Sequence, residues 1–115
     1  MAGKVNQTKS DPAAERPIRL RMLQLTRVEG EADAALLAKA NAILARFKNG
    51  ESFEALARDF DEGGKRDRGG DWGWLGAADM RAEYRDAFLA LKKGEVSAPI
   101  LAKEGCFLFY AEDRR

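Results

Sequence analysis

The sequence of 115 residues contains no histidine and only one cysteine, Cys106. The lack of histidine removes the usual acid–base group near neutral pH and the commonest zinc ligand. It also excludes Ser-His and Cys-His nucleophilic catalysis. A single cysteine rules out a disulfide within the chain, and the apolar neighbours of Cys106 predict a buried, unreactive thiol. Any redox chemistry would therefore need a partner.

The sequence also lacks a large charge imbalance and any long apolar run. Lysine and arginine total 20 and aspartate and glutamate total 19, which gives a formal charge of +1. This near balance argues against nucleic-acid binding, which needs a basic excess to displace counterions from phosphates. No apolar stretch approaches the roughly 18–20 residues needed to cross a bilayer. The content of 45% hydrophobic and 34% charged residues is typical of one globular domain.

The first 17 residues differ from the rest of the chain. They are polar, have no apolar period and include Pro12 and Pro17, which predicts a polar linker or a cloning remnant without a role in the core. They lack the apolar segment of a signal peptide, so we expect any export signal to belong to a longer parent chain. The folded domain is expected to span residues 18–113.

The hydrophobic pattern from Ile18 onward predicts both strands and helices. Alternation over residues 18–25 predicts a strand with apolar side chains on both faces. Apolar steps of three and four predict helices over residues 31–48 and 53–60, and a third helix capped by Asp79 and closed by Gly94. The glycines and charges of residues 61–73 predict a loop, and Trp72 to Leu75 are predicted to form a short extended segment. Residues 96–101 and 106–111 are predicted to form the two strands of a hairpin. The order predicts an α+β domain with helices packed on an antiparallel sheet.

Several stretches of the sequence resemble the parvulin family of rotamases. They are F-E-A-L-A-R-D-F and G-G-D-W-G within residues 53–73, L-K-K-G-E-V-S-A-P-I over residues 91–100, and G-C-F-L over residues 105–108. The resemblance covers about residues 18–113. It implies a parvulin-like α+β fold in which a four-stranded antiparallel sheet carries three to four helices. It also implies the activity of a peptidyl-prolyl cis–trans isomerase.

The chemistry of this reaction explains which groups such a site requires. Rotation about an X–Pro bond passes through a twisted amide, and the barrier of roughly 18–20 kcal/mol arises because twisting destroys C–N resonance. The planar amide separates charge more strongly than the twisted one, so a dry apolar pocket destabilises the planar state more. No nucleophile, metal or redox cofactor is required, and we expect none.

The resemblance places the substrate-binding cup of the family on three residues of this chain. They are Trp72, Met80 and Tyr84. Met80 and Tyr84 are four positions apart, so we expect them to lie one helical turn apart and to form the same wall. We expect Trp72, and not Trp74, to face the pocket.

The polar positions of the family carry different residues in this sequence. The two histidine positions of the family correspond to Met22 and Phe107, and its other polar position corresponds to Gly63, just after Asp61. We take Met22, Asp61 and Phe107 as the candidate catalytic positions. Because the polar network is lost while the apolar cup is retained, we expect attenuated activity.

Two functions stay open at this stage. The first is a weakly active isomerase domain of a bacterial exported foldase, acting on unfolded or proline-containing polypeptides in the periplasm. The second is a non-catalytic peptide-binding module of the SurA-like chaperone group, in which Trp72, Tyr84 and Phe107 hold aromatic-rich segments of outer-membrane proteins. A structural spacer, with Met22 and Phe107 filling a solid core, is a third reading. The short connection over residues 26–30 contains one arginine, so we expect no preference for phosphorylated sites.

Overall fold

The chain forms the predicted α+β domain, and the computed structural model describes residues 16–115. Most of the predicted linker, residues 1–15, lies outside this range. The elements in chain order are strand β1 (Ile18–Thr26), helices α1 (Asp33–Lys48) and α2 (Phe53–Phe60), strand β2 (Asp71–Leu75), helix α3 (Ala82–Ala90), and strands β3 (Ile100–Ala102) and β4 (Gly105–Arg114). Short 3-10 turns at Arg66–Arg68 and Ala77–Asp79 precede β2 and α3.

The four strands form one antiparallel sheet in the order β2-β1-β4-β3. The central strands β1 and β4 are the longest, and their pairing runs from Ile18 opposite Arg114 to Thr26 opposite Gly105. Lys103 and Glu104 connect β3 to β4, so the predicted hairpin is confirmed. Within residues 16–115, no helix is long and apolar enough to cross a bilayer.

Helices cover both faces of the sheet, because β1 and β4 direct apolar side chains to both sides. On one face, α1 and α2 pack over a cluster that includes Leu23, Leu25, Cys106 and Leu108 of the sheet and Leu36, Ala40, Ile43, Leu44, Phe53, Leu56 and Ala57 of the helices. On the other face, α3 and the preceding turn pack over a cluster of Ile18, Leu20, Met80, Tyr84, Phe88, Leu91, Phe107, Phe109 and Ala111. The predicted strand with two apolar faces is therefore confirmed.

The predicted end of α1 and both predicted ends of α2 are confirmed, whereas α1 begins at Asp33, two residues later than predicted. Helix α1 ends beside Gly50, whose φ of 105° suits glycine and whose N–H donates to the carbonyl oxygen of Phe47. The hydroxyl oxygen of Ser52 accepts a hydrogen bond of 3.1 Å from the backbone N–H of Ala55 and thereby caps α2.

The predicted boundaries of the third helix are wrong at both ends. Asp79 does not cap α3, because its carboxylate accepts a hydrogen bond of 2.7 Å from the backbone N–H of Gly76 within the preceding turn. The N-cap position is Arg81. At the other end, Leu91 leaves the helical conformation with a ψ of 133°. Gly94 lies in the following turn, where its N–H donates to the carbonyl oxygen of Ala111.

The structure also changes the lengths of three strands. Strand β3 begins only at Ile100, and Val96 forms an isolated bridge with Tyr110. Pro99 lies between these two contacts and has no N–H to donate to a ladder. Strand β4 extends past the predicted end to Arg114, and β2 begins at Asp71, within the segment predicted as a loop.

Candidate functional site

An open pocket of about 280 Å³ lies on the α3 face of the sheet. Strands β1, β2 and β4 supply its floor and one side, and the turn before α3 and the first residues of α3 supply the other side. The residues that line it are Met22, Gln24, Trp72, Leu75, Asp79, Met80, Arg81, Tyr84 and Phe107. The structure therefore brings together five of the six residues selected from the sequence, all except Asp61.

Aromatic rings form the inner wall of the pocket. The rings of Tyr84 and Phe107 meet edge to face with their centroids 5.3 Å apart, and Phe109 lies behind them, 6.0 Å from Tyr84. Phe107 and Tyr84 are both buried. Phe107 lines the space without filling it, so the solid core of the third reading is wrong.

Met80 reaches the pocket from an extended segment and not from a helix. Its φ and ψ are −99° and 143°, and it precedes α3 by two residues, so the expected helical turn between Met80 and Tyr84 is absent. The guanidinium of Arg85 fixes this segment by donating to the carbonyl oxygens of Met80 at 2.9 Å and Ala77 at 3.1 Å. Arg85 carries no sequence signal of this role, because the bonds depend on how the turn folds back onto α3.

A β-bulge in β2 directs Trp72 into the pocket. Leu20 pairs with Gly73 and Arg21 pairs with Asp71, so Trp72 is the extra residue between two regular pairs. The φ of Gly73 is 76°, a conformation that favours glycine. This geometry explains why a glycine follows the tryptophan in the G-G-D-W-G stretch.

The bulge also separates the two tryptophans. Regular alternation would place residues 72 and 74 on the same side of a strand. In the structure, Trp72 lines the pocket with 42% of its surface exposed, whereas the guanidinium of Arg115 lies 4.0 Å above the ring of Trp74. The ammonium of Lys65 lies 4.6 Å from the ring centroid of Trp72 at the rim of the pocket.

The carboxylate of Asp71 stabilises this bulge. One oxygen accepts a hydrogen bond of 2.8 Å from the backbone N–H of Gly73, and the other accepts one of 2.6 Å from the guanidinium of Arg19. These contacts favour the charged carboxylate, so they hold the pKa of Asp71 below its usual value, with the Arg19 bond as the largest cause. Asp71 is thus a positioning residue for Trp72.

Asp61 lies outside the pocket and supports one edge of it. Its side chain is buried, and its oxygens accept hydrogen bonds from the backbone N–H groups of Gln24 at 2.8 Å, Gly63 at 3.1 Å and Lys65 at 3.2 Å. These bonds join the loop after α2 to β1 beside the pocket. The structure therefore assigns to Asp61 contacts with the backbone and none with the pocket space.

Like Arg81, Gln24 is a polar side chain of the pocket that sequence reasoning missed. It lines the pocket two residues after Met22, and side chains two apart on a strand share a face. A Cβ atom at Gly63 would lie 2.7 Å from the Oε1 atom of Gln24. Gln24 therefore occupies the space next to the position where the family carries its third polar residue.

Two further predictions concern residues away from the pocket. Cys106 is buried, and burial is the main cause that raises the pKa of its thiol, so the prediction of a buried cysteine is confirmed.

Arg27, the one arginine of the short connection after β1, donates to the carbonyl oxygens of Ala102 and Glu31 and pairs with Asp33. Within residues 16–115, no group of three or more acidic or cysteine side chains is arranged to hold a metal ion.

The sheet order, the helices on both faces and the apolar pocket define a parvulin-type domain. The sequence agrees with this assignment, because residues 20–113 match the family described as rotamase, PPIC-type PPIASE domain. The chain therefore belongs to the PpiC-type peptidyl-prolyl isomerase domain family.

Individual relatives and solved structures agree with the family. Chaperone SurA of Nitrosospira multiformis is 34% identical over 94 residues, which are 82% of this chain and 21% of that protein. Chaperone SurA of Chromohalobacter salexigens is 40% identical over 79 residues, 68% of this chain and 18% of that protein. The chain thus spans about a fifth of the length of these relatives.

Two solved domains have nearly the same extent as this chain. A crystal structure of a PpiC-type peptidyl-prolyl cis–trans isomerase domain superposes with a TM-score of 0.80 at 27% identity, covering 90% of this chain and 94% of that one. The solution structure of the parvulin domain of PpiD from E. coli gives a TM-score of 0.68 at 27% identity, covering 89% and 91%.

Proposed function

We propose that this domain is a peptidyl-prolyl cis–trans isomerase with modest activity, belonging to a bacterial exported foldase or chaperone. The observation that carries the proposal is the open apolar pocket lined by Trp72, Met80 and Tyr84. Family membership supports the reaction, and the relatives named Chaperone SurA support a role in protein folding.

In the proposed reaction, the pyrrolidine ring of a bound peptide enters the pocket and is shielded from water. The walls of Met80, Tyr84 and Phe107 offer little polar stabilisation to the charge-separated planar amide. The twisted amide carries less charge separation and therefore loses less solvation free energy when it leaves water. The pocket thus binds the twisted amide better than the planar one, and this difference lowers the barrier to rotation. The amide of Gln24 is available at the pocket as a donor or an acceptor.

We expect the isomerase activity to be attenuated because of the residues at the two positions where the family carries histidine. Met22 and Phe107 have no side-chain N–H or O–H, so neither can donate a hydrogen bond to the peptide. We propose that Met22 and Phe107 act as apolar walls and that Asp61 acts as a positioning residue. Every tenfold loss of rate corresponds to about 1.4 kcal/mol of barrier, so the loss of two donors is compatible with measurable turnover.

The proposal is tested by exchange NMR on a short proline peptide with and without the protein. We expect micromolar protein to increase the cis–trans exchange rate, and we expect Met80→Ala to reduce the increase. Asp86→Ala serves as the matched control, because Asp86 lies on α3 but does not line the pocket. An exchange rate unchanged by micromolar protein would contradict isomerase activity.

A second candidate function is capture of aromatic-rich unfolded segments without isomerisation. The exposure of Trp72 at the mouth of the pocket, in front of the rings of Tyr84 and Phe107, favours this reading. Titration with an aromatic-rich peptide, followed by tryptophan emission, distinguishes the two functions. Saturable binding without faster proline exchange would support capture alone, and segments of outer-membrane proteins are the first peptides to test.

We also propose that the parent protein is exported to the periplasm. The support is the similarity to relatives named Chaperone SurA. Cell fractionation of the parent protein in its own bacterium tests the proposal, with recovery in the periplasmic fraction expected. Recovery with the cytoplasmic proteins would contradict it.

A further inference from the structure

The hydroxyl of Tyr84 is a buried polar group beside the rings of the aromatic wall. Tyr84 lines the pocket with only 7% of its surface exposed. Its hydroxyl proton has no acceptor among the residues that the structure describes. Buried hydroxyls are normally paired, because a hydroxyl that leaves water without a new partner loses favourable interactions. The free protein therefore leaves the hydroxyl proton without an acceptor at the site itself.

The position of this hydroxyl is fixed by the rings around it. Phe107 and Phe109 contact the ring of Tyr84 from two sides, with centroid distances of 5.3 and 6.0 Å. A tyrosine ring held in this way cannot swing its oxygen toward another part of the fold. An acceptor for the hydroxyl proton therefore has to be supplied by a molecule bound in the pocket.

The charged neighbour of the hydroxyl leaves its proton free. Arg81 also lines the pocket, and its pKa is raised chiefly by a side-chain hydrogen bond in which its guanidinium donates toward the Tyr84 oxygen, and then by the carboxylate of Glu83. A guanidinium has only donors, so Arg81 cannot accept the hydroxyl proton. The Tyr84 hydroxyl is therefore available as a donor, next to a positive charge that strengthens it as one.

The ligand of an isomerase offers the complementary group. Proline has no backbone N–H, so the X–Pro unit presents carbonyl acceptors and no donor at its imide bond. An apolar cup requires only the ring of Tyr84, and a phenylalanine would supply that ring. The hydroxyl thus adds to the ring a donor that favours an acceptor-bearing imide over a purely apolar group of the same size.

We propose that the Tyr84 hydroxyl donates a hydrogen bond to the carbonyl oxygen that precedes proline in a bound peptide. This inference rests on the proposed function, because it takes an X–Pro peptide as the ligand of the pocket. The bond makes Tyr84 a specificity-determining residue. It holds the carbonyl oxygen equally in the planar and the twisted state, so its loss raises KM and leaves kcat nearly unchanged.

The test combines Tyr84→Phe with a change in the peptide. An NMR titration of the labelled protein, following the indole N–H of Trp72, gives the affinity for an X–Pro peptide and for its thioamide analogue, whose sulfur accepts hydrogen bonds poorly. We expect Tyr84→Phe to bind the normal peptide about 3- to 10-fold more weakly than the unchanged protein. With the thioamide, the two proteins are expected to bind equally.

The stability of the variant provides the control. Because the hydroxyl proton has no acceptor in the free protein and the Arg81 guanidinium beside the oxygen is exposed, Tyr84→Phe is expected to unfold at nearly the same temperature. Weaker binding by a variant that is nearly as stable cannot be attributed to misfolding.

The possible failures of this inference and of the proposed function are distinguishable. Equal affinity of the two proteins for the normal peptide would overturn the role of the hydroxyl alone. A fall in kcat with unchanged affinity would also overturn the inference, because that result would mean that the hydrogen bond forms only with the twisted amide. Failure of the unchanged protein to bind any proline peptide would overturn both the proposed function and this inference.

Discussion

Met80 and Asp61 contribute to the pocket in different ways, and substitution separates the two contributions. Met80 presents apolar surface to the ligand, whereas Asp61 binds backbone N–H groups outside the pocket. We predict that Met80→Ala weakens peptide binding about tenfold, which corresponds to about 1.4 kcal/mol, and that it also lowers the free energy of unfolding, because Met80 is buried in the cluster under α3.

The matched variant for this prediction is Asp61→Asn. It replaces one acceptor oxygen by a donor that faces backbone N–H groups, so it is expected to reduce the free energy of unfolding by about 1–3 kcal/mol. Its folded form is expected to bind peptide with a smaller loss than Met80→Ala. If Asp61→Asn weakens binding more than Met80→Ala at a temperature where both are folded, the apolar account of the pocket is wrong.

At the scale of elements, β2 depends on close contact between its first residues and β1. Gly70 has a φ of 78°, and a Cβ atom there would lie 2.5 Å from the carbonyl oxygen of Met22. Its own carbonyl oxygen accepts a hydrogen bond of 2.9 Å from the N–H of Met22. The approach of the two backbones, which leads into the bulge at Trp72, therefore requires glycine.

We predict that Gly70→Ala is more destabilising than Gly64→Ala. Both glycines have positive φ, but a Cβ atom at Gly64 would meet nothing within 4 Å. Each change costs about 1 kcal/mol of backbone strain, and only Gly70→Ala adds the contact with Met22. Urea unfolding measures the difference, and a shifted tryptophan emission of folded Gly70→Ala would report displacement of Trp72. Equal free energies of unfolding for the two variants would contradict the role of the contact.

The pair of Asp71 and Arg19 makes the stability of β2 depend on pH. The pKa of Asp71 is lower in the folded protein than in the unfolded chain, first because of the Arg19 bond. A carboxylate of this kind contributes stability that is complete above its unfolded pKa of about 3.9 and is lost as the pH falls through its lower, folded pKa. We therefore predict that Asp71→Asn makes the loss of stability below pH 4 shallower.

Urea unfolding at several pH values between about 2 and 7 measures this effect. Asp67→Asn is the control, because the exposed Asp67 carboxylate makes no hydrogen bond or ion pair with the residues that the structure describes. Asp71→Asn is also expected to be less stable than the unchanged protein at pH 7, since the Arg19 and Gly73 contacts are weakened. If the free energy of unfolding depends on pH in the same way in Asp71→Asn and in the unchanged protein, the Asp71–Arg19 pair does not contribute to the loss of stability in acid.

At the scale of the whole molecule, one sheet joins two apolar clusters. Neighbouring residues of β4 belong to different clusters: Leu108 packs under α1 and α2, and Phe109 packs under α3. Because β4 contributes to both clusters, displacement of this strand would disrupt the packing on both faces of the sheet. The pocket therefore shares the stability of the entire domain.

We predict that Leu108→Ala and Phe109→Ala both lower the stability of the whole domain. Removal of buried side chains of this size costs about 2–5 kcal/mol. Tryptophan emission, which reports β2 and the pocket, and far-ultraviolet circular dichroism, which reports the helices, are expected to give the same unfolding midpoint in each variant. Separate midpoints for the two probes would show that the α3 face unfolds independently.

Much of this architecture could be predicted from local patterns. Alternation in β1, the apolar steps of α1 and α2, Gly50 and Ser52 at their ends and the hairpin before β4 depend on residues close in sequence. Local periodicity failed between Asp79 and Leu91, because hydrogen bonds with the turn and with distant strands ended α3 earlier than its apolar stripe suggests.

The sequence by itself determined the order of elements, the two-faced sheet and the identity of the residues in the apolar wall. Only the tertiary structure decided how they meet. Trp72 reaches the pocket through a register shift stabilised by Arg19 and Asp71, which are 52 positions apart, and the packing of rings from β4 leaves the Tyr84 hydroxyl proton without an acceptor among the described residues. Local patterns fix which side chains are apolar, but contacts across long sequence separations fix which space they enclose.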